Sequence, residues 1–217
     1  GRELLIATSA LEDAVKQLET GWETNLVITH DTLVPLNTIF ELVGEFSQLN
    51  KMTELLINEE VLSGSWQSLL SNKAQIVVGA SGELPKGHFN ITQIAQVDFC
   101  FAIAKEHPLL QKNGAVTSKD IKQYPSIVVA DSSTAQSSRS SGLLDSSQTI
   151  RVTSMAAKIQ AQSQGIGIGF LPRHMIKDEL KQGTLVIKEC EVPRHPEYIY
   201  MAWHKDVNGK ALTWFTQ

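Results

Sequence analysis

The chain has 217 residues, 42% of them apolar, and a formal net charge of -4 from 19 basic and 23 acidic side chains. That length suits one large domain or two small lobes with a real core, and the acidic balance argues against a nucleic-acid-binding surface, which needs clustered Lys and Arg. Two cysteines, Cys100 and Cys190, are too few for a disulfide framework and fit a reducing cytoplasm. The longest apolar run, Phe99 to Ala104, has six residues, far short of the roughly 20 that a membrane span needs. No basic segment followed by an apolar one marks a signal peptide. The chain opens at Gly1 in mid-pattern, which we read as a piece of a longer protein.

Leu4, Leu11 and Leu18 recur every seven residues, with Ala7 and Ala14 between them. This spacing fits either a short coiled-coil seam or an ordinary amphipathic helix; Gly21 closes the pattern. Leu26-Val27-Ile28 predicts a buried strand, and Pro35 opens a helix running to Gln48 on Leu36, Ile39, Phe40, Val43 and Phe46. Leu55-Leu56-Ile57 is a second strand, Trp66, Leu69 and Leu70 mark a second helix, and Ile76-Val77-Val78 a third strand. Gly79 to Gly87 reads as a loop. Further strands are predicted at Phe99–Ala104, Ile127–Ala130 and Ile150–Val152.

Ser132 to Ser147 holds eight serines and reads as a loop with a weak helix. Ser154 is an N-cap for a helix carrying Met155, Ala156, Ile159 and Ser163. Gly165 to Phe170 reads as a short strand ended by Leu171-Pro172, and a helix from Arg173 to Lys181 stops at Gly183. Leu185–Ile187 and Tyr198–Trp203 are late strands, followed by a helix from Ala211 to Phe215. Strands alternating with helices predict βαβ units and parallel sheets. The two series break near residues 95 and 190.

Enzyme chemistry finds little support. Gly165-x-Gly167-x-Gly169 follows a helix rather than a strand and is not a dinucleotide fingerprint. There is no Gly-x-Ser-x-Gly elbow. The six histidines (30, 88, 107, 174, 195, 204) form no metal-ligand spacing, so no metal or cofactor is expected. Two loops are more informative: Thr29-His30-Asp31-Thr32 and Ser63-Gly64-Ser65-Trp66 both sit where a strand gives way to a helix. Their hydroxyls and free N–H groups could hold a polar ligand or simply cap the helices.

These segments together resemble the C-terminal part of a LysR-type transcriptional regulator. Gly1-Arg2-Glu3-Leu4-Leu5 is similar to the segment entering that family's linker helix. Gly21 and Leu26-Val27-Ile28 resemble the glycine and first strand that follow. Ala104-Lys105-Glu106-His107-Pro108-Leu109 resembles the entrance to the second lobe, and Gly165-Ile166-Gly167-Ile168-Gly169-Phe170-Leu171-Pro172 the glycine-rich region. Gln75 stands where many members have Asp before the third strand, and the winged helix-turn-helix is absent.

The resemblance implies an α/β, two-lobed, periplasmic-binding-protein-like fold, each lobe a mostly parallel sheet flanked by helices, with a ligand cleft between. Residues 1–21 would be the linker-helix end, 22–97 with 191–217 lobe I, and 98–190 lobe II. It implies a cytoplasmic ligand-sensing domain of a regulator that binds DNA only through its missing N-terminal domain. A solute-binding protein of a transport system is the alternative on the same architecture. Carried over by position, the ligand contacts are Asp31, Thr32, Ser63 and Trp66 from lobe I. Those of lobe II are Ser132, Ser133, Thr134, Ser154 and Met155, with Gly169 and Phe170 near the crossover.

Asp31 is the only charge in that set, so a neutral, hydrogen-bond-rich effector of purine- or ureide-like chemistry is expected, stacked on Trp66 or Phe170. Asp31 is taken as a solvent-facing loop carboxylate dispensable to the fold. Self-association is expected through Leu4, Leu11 and Leu18 and through Leu42 and Leu49 on the Pro35–Gln48 helix.

Overall fold

The computed structural model describes residue 15 and residues 19–134 and 139–217. Leu4, Leu11 and Leu18 lie outside the described residues.

Strands β1 (Asn25–Asp31), β2 (Glu54–Glu60), β3 (Ile76–Ser81), β4 (Phe89–Val97) and β10 (Glu197–His204) form one five-stranded sheet in the order β2-β1-β3-β10-β4. β1 is parallel to β2 and β3, while β10 runs antiparallel to β3 and β4. β1 is a buried interior strand, and the alternation of its side chains feeds two cores. Leu26 and Ile28 pack with Phe46 of helix α1 (Leu36–Ser47) and with Ala211 and Leu212 of helix α6 (Lys210–Phe215). Val27 faces the opposite core with Trp66 and Leu69 of helix α2 (Ser63–Leu70). Gln75, in place of the expected Asp, accepts the Val27 N–H at 2.7 Å and so fixes the turn into β3.

β5 (Phe99–Ala104) follows β4 after the single residue Asp98 and begins a second sheet system. It is antiparallel to both β8 (Gly169–Pro172) and β9 (Leu185–Ile187). β6 (Pro125–Val129) and β7 (Gln148–Val152) pair in parallel, and β6 reaches the other three through a bridge from Ser126 to Ile168. The sheets are therefore mixed; only β1–β3 and β6–β7 show the parallel pairing expected of both lobes. Helices α3 (Ser118–Ile121), α4 (Met155–Ser163) and α5 (Lys177–Gln182) flank this second system. Ser154 caps α4 by accepting the Ala157 N–H, as its sequence predicts. Gly183 ends α5 with a positive φ of 71°, which an L side chain adopts poorly.

One apolar cluster joins the two systems. Leu33, Val34 and Ile39 from the first pack with Met155, Leu171 and Ile176 from the second.

The start of α6 is held from far away in sequence. The buried Glu23 carboxylate accepts the N–H groups of Ala211 at 2.8 Å and Leu212 at 3.0 Å. Trp214 and Phe215 then stack against Phe46 of α1. Glu23→Ala leaves both donors unpaired and is expected to cost about 2 kcal/mol, read as a lower urea midpoint with an unchanged slope; an unchanged midpoint would show the cap to be idle.

Candidate functional site

A groove lies where the two sheet systems meet. Asp31, Thr32 and Leu62 form one wall; Met155, Lys158 and Phe170 form the other. Ser141, Arg194 and Glu197 close one side, and the free space is about 30 Å³, room for two or three waters by the usual scale of roughly 10–15 Å³ each.

Asp31 organises the first wall. It is the last residue of β1 and only 1% exposed. Oδ1 accepts the Leu33 N–H at 2.9 Å and Oδ2 the Leu62 N–H at 3.0 Å. Burial pushes its carboxyl up to about 7, against the lowering effect of those two N–H bonds. Leu62 has φ 54° and ψ -112°, a conformation that costs a non-glycine residue on the order of 1–3 kcal/mol. The bond to Asp31 holds it there. The expectation of a solvent-facing Asp31 is thus corrected: this carboxylate belongs to the interior.

Thr32 then reaches across the groove, its Oγ1 accepting the Met155 N–H at 2.7 Å. The free N–H at the start of α4 is therefore already satisfied by the opposite wall.

Lys158 is the feature of the second wall that sequence reading did not find. It is 3% exposed, and its ammonium makes no hydrogen bond or ion pair among the described residues. Burial, with the Arg194 charge adding to it, pushes the amine down to about 7. A Cβ on Gly169 would stand 2.9 Å from Gln162 Oε1 and 3.3 Å from Lys158 Cε; this glycine leaves room for the lysine stem. Arg194 lies over the Phe99 ring at 4.0 Å and pairs with Glu197 at 3.3 Å. Arg194 Nε and Glu197 Oε2 are nevertheless buried without partners.

Of the residues expected to touch a ligand, Asp31, Thr32, Met155 and Phe170 line the groove. Trp66 does not: it is buried in the α2 core with Nε1 donating to the Ser81 carbonyl at 2.9 Å, so its ring has no free face for stacking in the groove. Ser63, Ser132, Ser133, Thr134 and Ser154 do not line the groove; the hydroxyls of Ser132, Thr134 and Ser154 and the backbone N–H groups of Ser63 and Ser133 bond within the protein. The Ser63 N–H donates to Asp131 Oδ1, as does that of Ser133. Ser132 Oγ bonds Glu60 Oε2 and accepts the Val61 N–H. Thr134 exchanges two bonds with Gln67. A Cβ on Gly64 would collide with Ser132 Oγ, so this close crossing requires glycine. The premise that the site lacks cations is likewise corrected by Lys158 and Arg194.

Two helix-flanked mixed sheet systems meeting at a groove are the build of the periplasmic-binding-protein-like fold. The chain belongs to the LysR family: the model for the LysR substrate binding domain matches residues 20–217. It is 33% identical over 216 residues to the HTH-type transcriptional regulator YeeY of Escherichia coli (strain K12), covering 99% of this chain and 70% of that protein. It is 25% identical to the HTH-type transcriptional regulator PunR of the same organism, over 100% of this chain and 70% of that one. Among solved structures, the regulatory domain of Synechocystis PCC6803 CcmR in complex with 2-PG matches with TM-score 0.66 at 17% identity, covering 88% of this chain and 93% of that one. The effector-binding domain of QuiR in complex with shikimate matches with TM-score 0.63, also at 17% identity and with the same coverage. No helix among the described residues is long and apolar enough to cross a membrane.

Two groups in the groove, Asp31 and Lys158, contribute to the pH response in opposite directions. Asp31 titrates near 7 when folded and near 3.8 otherwise. Its contribution is fully present below the lower value and is lost as pH rises to about 7. Lys158 titrates near 7 folded against 10.5 otherwise, so its contribution is present above the higher value and lost as pH falls to about 7. Stability from these two groups therefore has its minimum near neutrality. Urea midpoints measured across that range should show the dip, and Lys158→Met should remove its alkaline arm while matching or exceeding wild-type stability at neutral pH, because the variant buries no amine. Asp31→Ala should cost about 2–4 kcal/mol by orphaning buried donors; a loss below about 0.5 kcal/mol would show that the carboxylate is not structural.

Proposed function

We propose that the domain binds a small-molecule effector in this groove and reports its presence to a DNA-binding segment outside the chain, as a cytoplasmic regulator. Lobe I would comprise residues 22–97 with 191–217 and lobe II residues 98–190, with 1–21 as the end of the linker helix. The observation that carries this reading is the gathering, in one groove between the two sheet systems, of the buried Lys158 and of two buried polar atoms without partners, Arg194 Nε and Glu197 Oε2. Buried polar groups normally have partners; a ligand would supply them. That CcmR and QuiR domains of the same fold are complexed with 2-PG and shikimate supports it, and the regulator identity of the relatives favours it over a transport function.

A metabolite that binds only the folded form raises its melting temperature, by about 2.7 kcal/mol of stabilisation at a hundredfold excess over Kd. A thermal-shift screen of the domain should yield such a compound. Met155→Trp, which fills the groove, should abolish its effect; stabilisation that persists in that variant would place binding elsewhere.

The same reading includes self-association. Helix α1 exposes Phe40 and Leu42, with Leu49 just beyond its end, a patch that a second copy would cover symmetrically. Light scattering at high micromolar concentration should give a mass above the monomer, reduced by Leu42→Lys; a strictly monomeric wild type would refute it.

A further inference from the structure

We propose that the effector is a small organic acid whose carboxylate pairs with the Lys158 ammonium and the Nε–H of Arg194, and whose neighbouring hydroxyl or amino group donates to Glu197 Oε2. This rests on the reading of the groove as an effector site and adds the chemistry of the occupant.

The argument is one of elimination among acceptors. A buried ammonium needs an anionic or strongly polar partner. Asp31, in the facing wall, already receives Leu33 and Leu62. Glu197 Oε1 receives Ser141 Oγ at 3.1 Å and Arg194 Nη2 at 3.3 Å. Gln162, one turn along α4, bonds the Ala102 and Gly169 carbonyls through Nε2, and its free Oε1 is neutral. Arg139 is turned to the Ser81 carbonyl and adds further positive charge near Asp31. Lys158 thus faces one cation, Arg194, and pairs with no carboxylate among the described residues.

The remaining valences match the proposed ligand. Two donors, Lys158 Nζ and Arg194 Nε, suit two carboxylate oxygens, while Glu197 Oε2 is an acceptor without a donor. An α-hydroxy or α-amino acid carries both halves on adjacent carbons. A neutral heterocycle would leave the ammonium without a counter-charge. With only about 30 Å³ free, the walls must part to admit the acid, which favours a compact one.

A proton accompanies the acid. The Lys158 amine is pushed down to about 7, with Asp31, Arg139, Arg194 and Glu197 as the titratable or charged groups around the site. Pairing with a carboxylate favours the ammonium, so above neutrality binding draws a proton from solvent. Affinity should then fall by up to tenfold per pH unit above about 7.

The test uses residues 1–217 and Lys158→Met, with lactate, malate, glutamate and shikimate as probes, their amides as neutral matches, and allantoin and hypoxanthine as neutral nitrogen-rich compounds. Thermal shifts and proton–nitrogen spectra are recorded near pH 6 and pH 8.5. At least one acid is expected to stabilise the protein and move the amide signals of Met155 and Phe170, more than tenfold more tightly at the lower pH, with its amide inactive. Lys158→Met, expected to fold normally, should lose the response. If no acid moves those signals, or if the acid binds Lys158→Met equally well, the proposal is overturned. If allantoin or hypoxanthine moves them instead, the carboxylate class falls and the groove stands as a binding site. If an acid binds but moves signals only elsewhere, both readings fall.

Discussion

The Asp31 carboxylate is the joint on which this architecture turns. One oxygen closes the turn after β1 and the other fastens the start of α2, through an N–H that Leu62 presents only in a strained conformation. Those two bonds place Thr32 and Leu33 at the front of the first sheet. From there Thr32 meets the start of α4 and the Leu33 carbonyl accepts from His174 at 2.9 Å. A single buried carboxylate therefore sets the strand end, the helix start and two of the contacts between the sheet systems. Its burial raises its own pKa, the electrostatic cost of using a charged group as a fastener.

The contacts between the two systems are mostly hydrogen bonds from short side chains laid over one apolar cluster. Ser132 bridges to Glu60 and Val61, Thr134 to Gln67, and Arg139 to the Ser81 carbonyl. Bonds of this kind contribute about 0.5–1.5 kcal/mol net each, and those near the surface exchange readily with water. Ser132 and Thr134 work as latches, which is why their hydroxyls, which look like free ligand contacts, are occupied by protein.

The element order was largely legible because apolar runs and helix periodicity agree with the tertiary arrangement. β4 escaped because it is a sheet edge: Thr92, Gln93 and Gln96 are exposed there, and no apolar run marks it. The antiparallel pairing of β5 was hidden because a strand buried on both faces reads the same in either direction. In the site, Asp31 looked like a cap because the Leu62 N–H that needs it lies 31 residues away. Trp66 was misread because a tryptophan after a strand end is compatible with both cleft and core. Lys158 did leave a signal. Met155, Lys158, Ile159 and Gln162 occupy i, i+3, i+4 and i+7, the buried stripe of α4. From the sequence alone, Met155, Ala156, Ile159 and Ser163 were named on this helix and the lysine between them was passed over.

A lysine in the buried stripe of a helix is a poor choice for stability, since a methionine would fill the same space without desolvating an amine. Its presence is better understood as a difference between two states. The amine is buried without a partner among the described residues; under the proposed reading a bound acid supplies one. Shifting such an equilibrium from 1:99 to 99:1 needs about 5.5 kcal/mol of differential affinity. Charge-assisted hydrogen bonds contribute roughly 1.5–3 kcal/mol each, so two or three of them at Lys158, Arg194 and Glu197 cover that range. A groove lined only by satisfied groups would bind through apolar contact and have far less to distinguish its occupied form from its empty one. Under the proposed reading, burying the amine without a partner is costly, so that a ligand of the right charge does more than fill space.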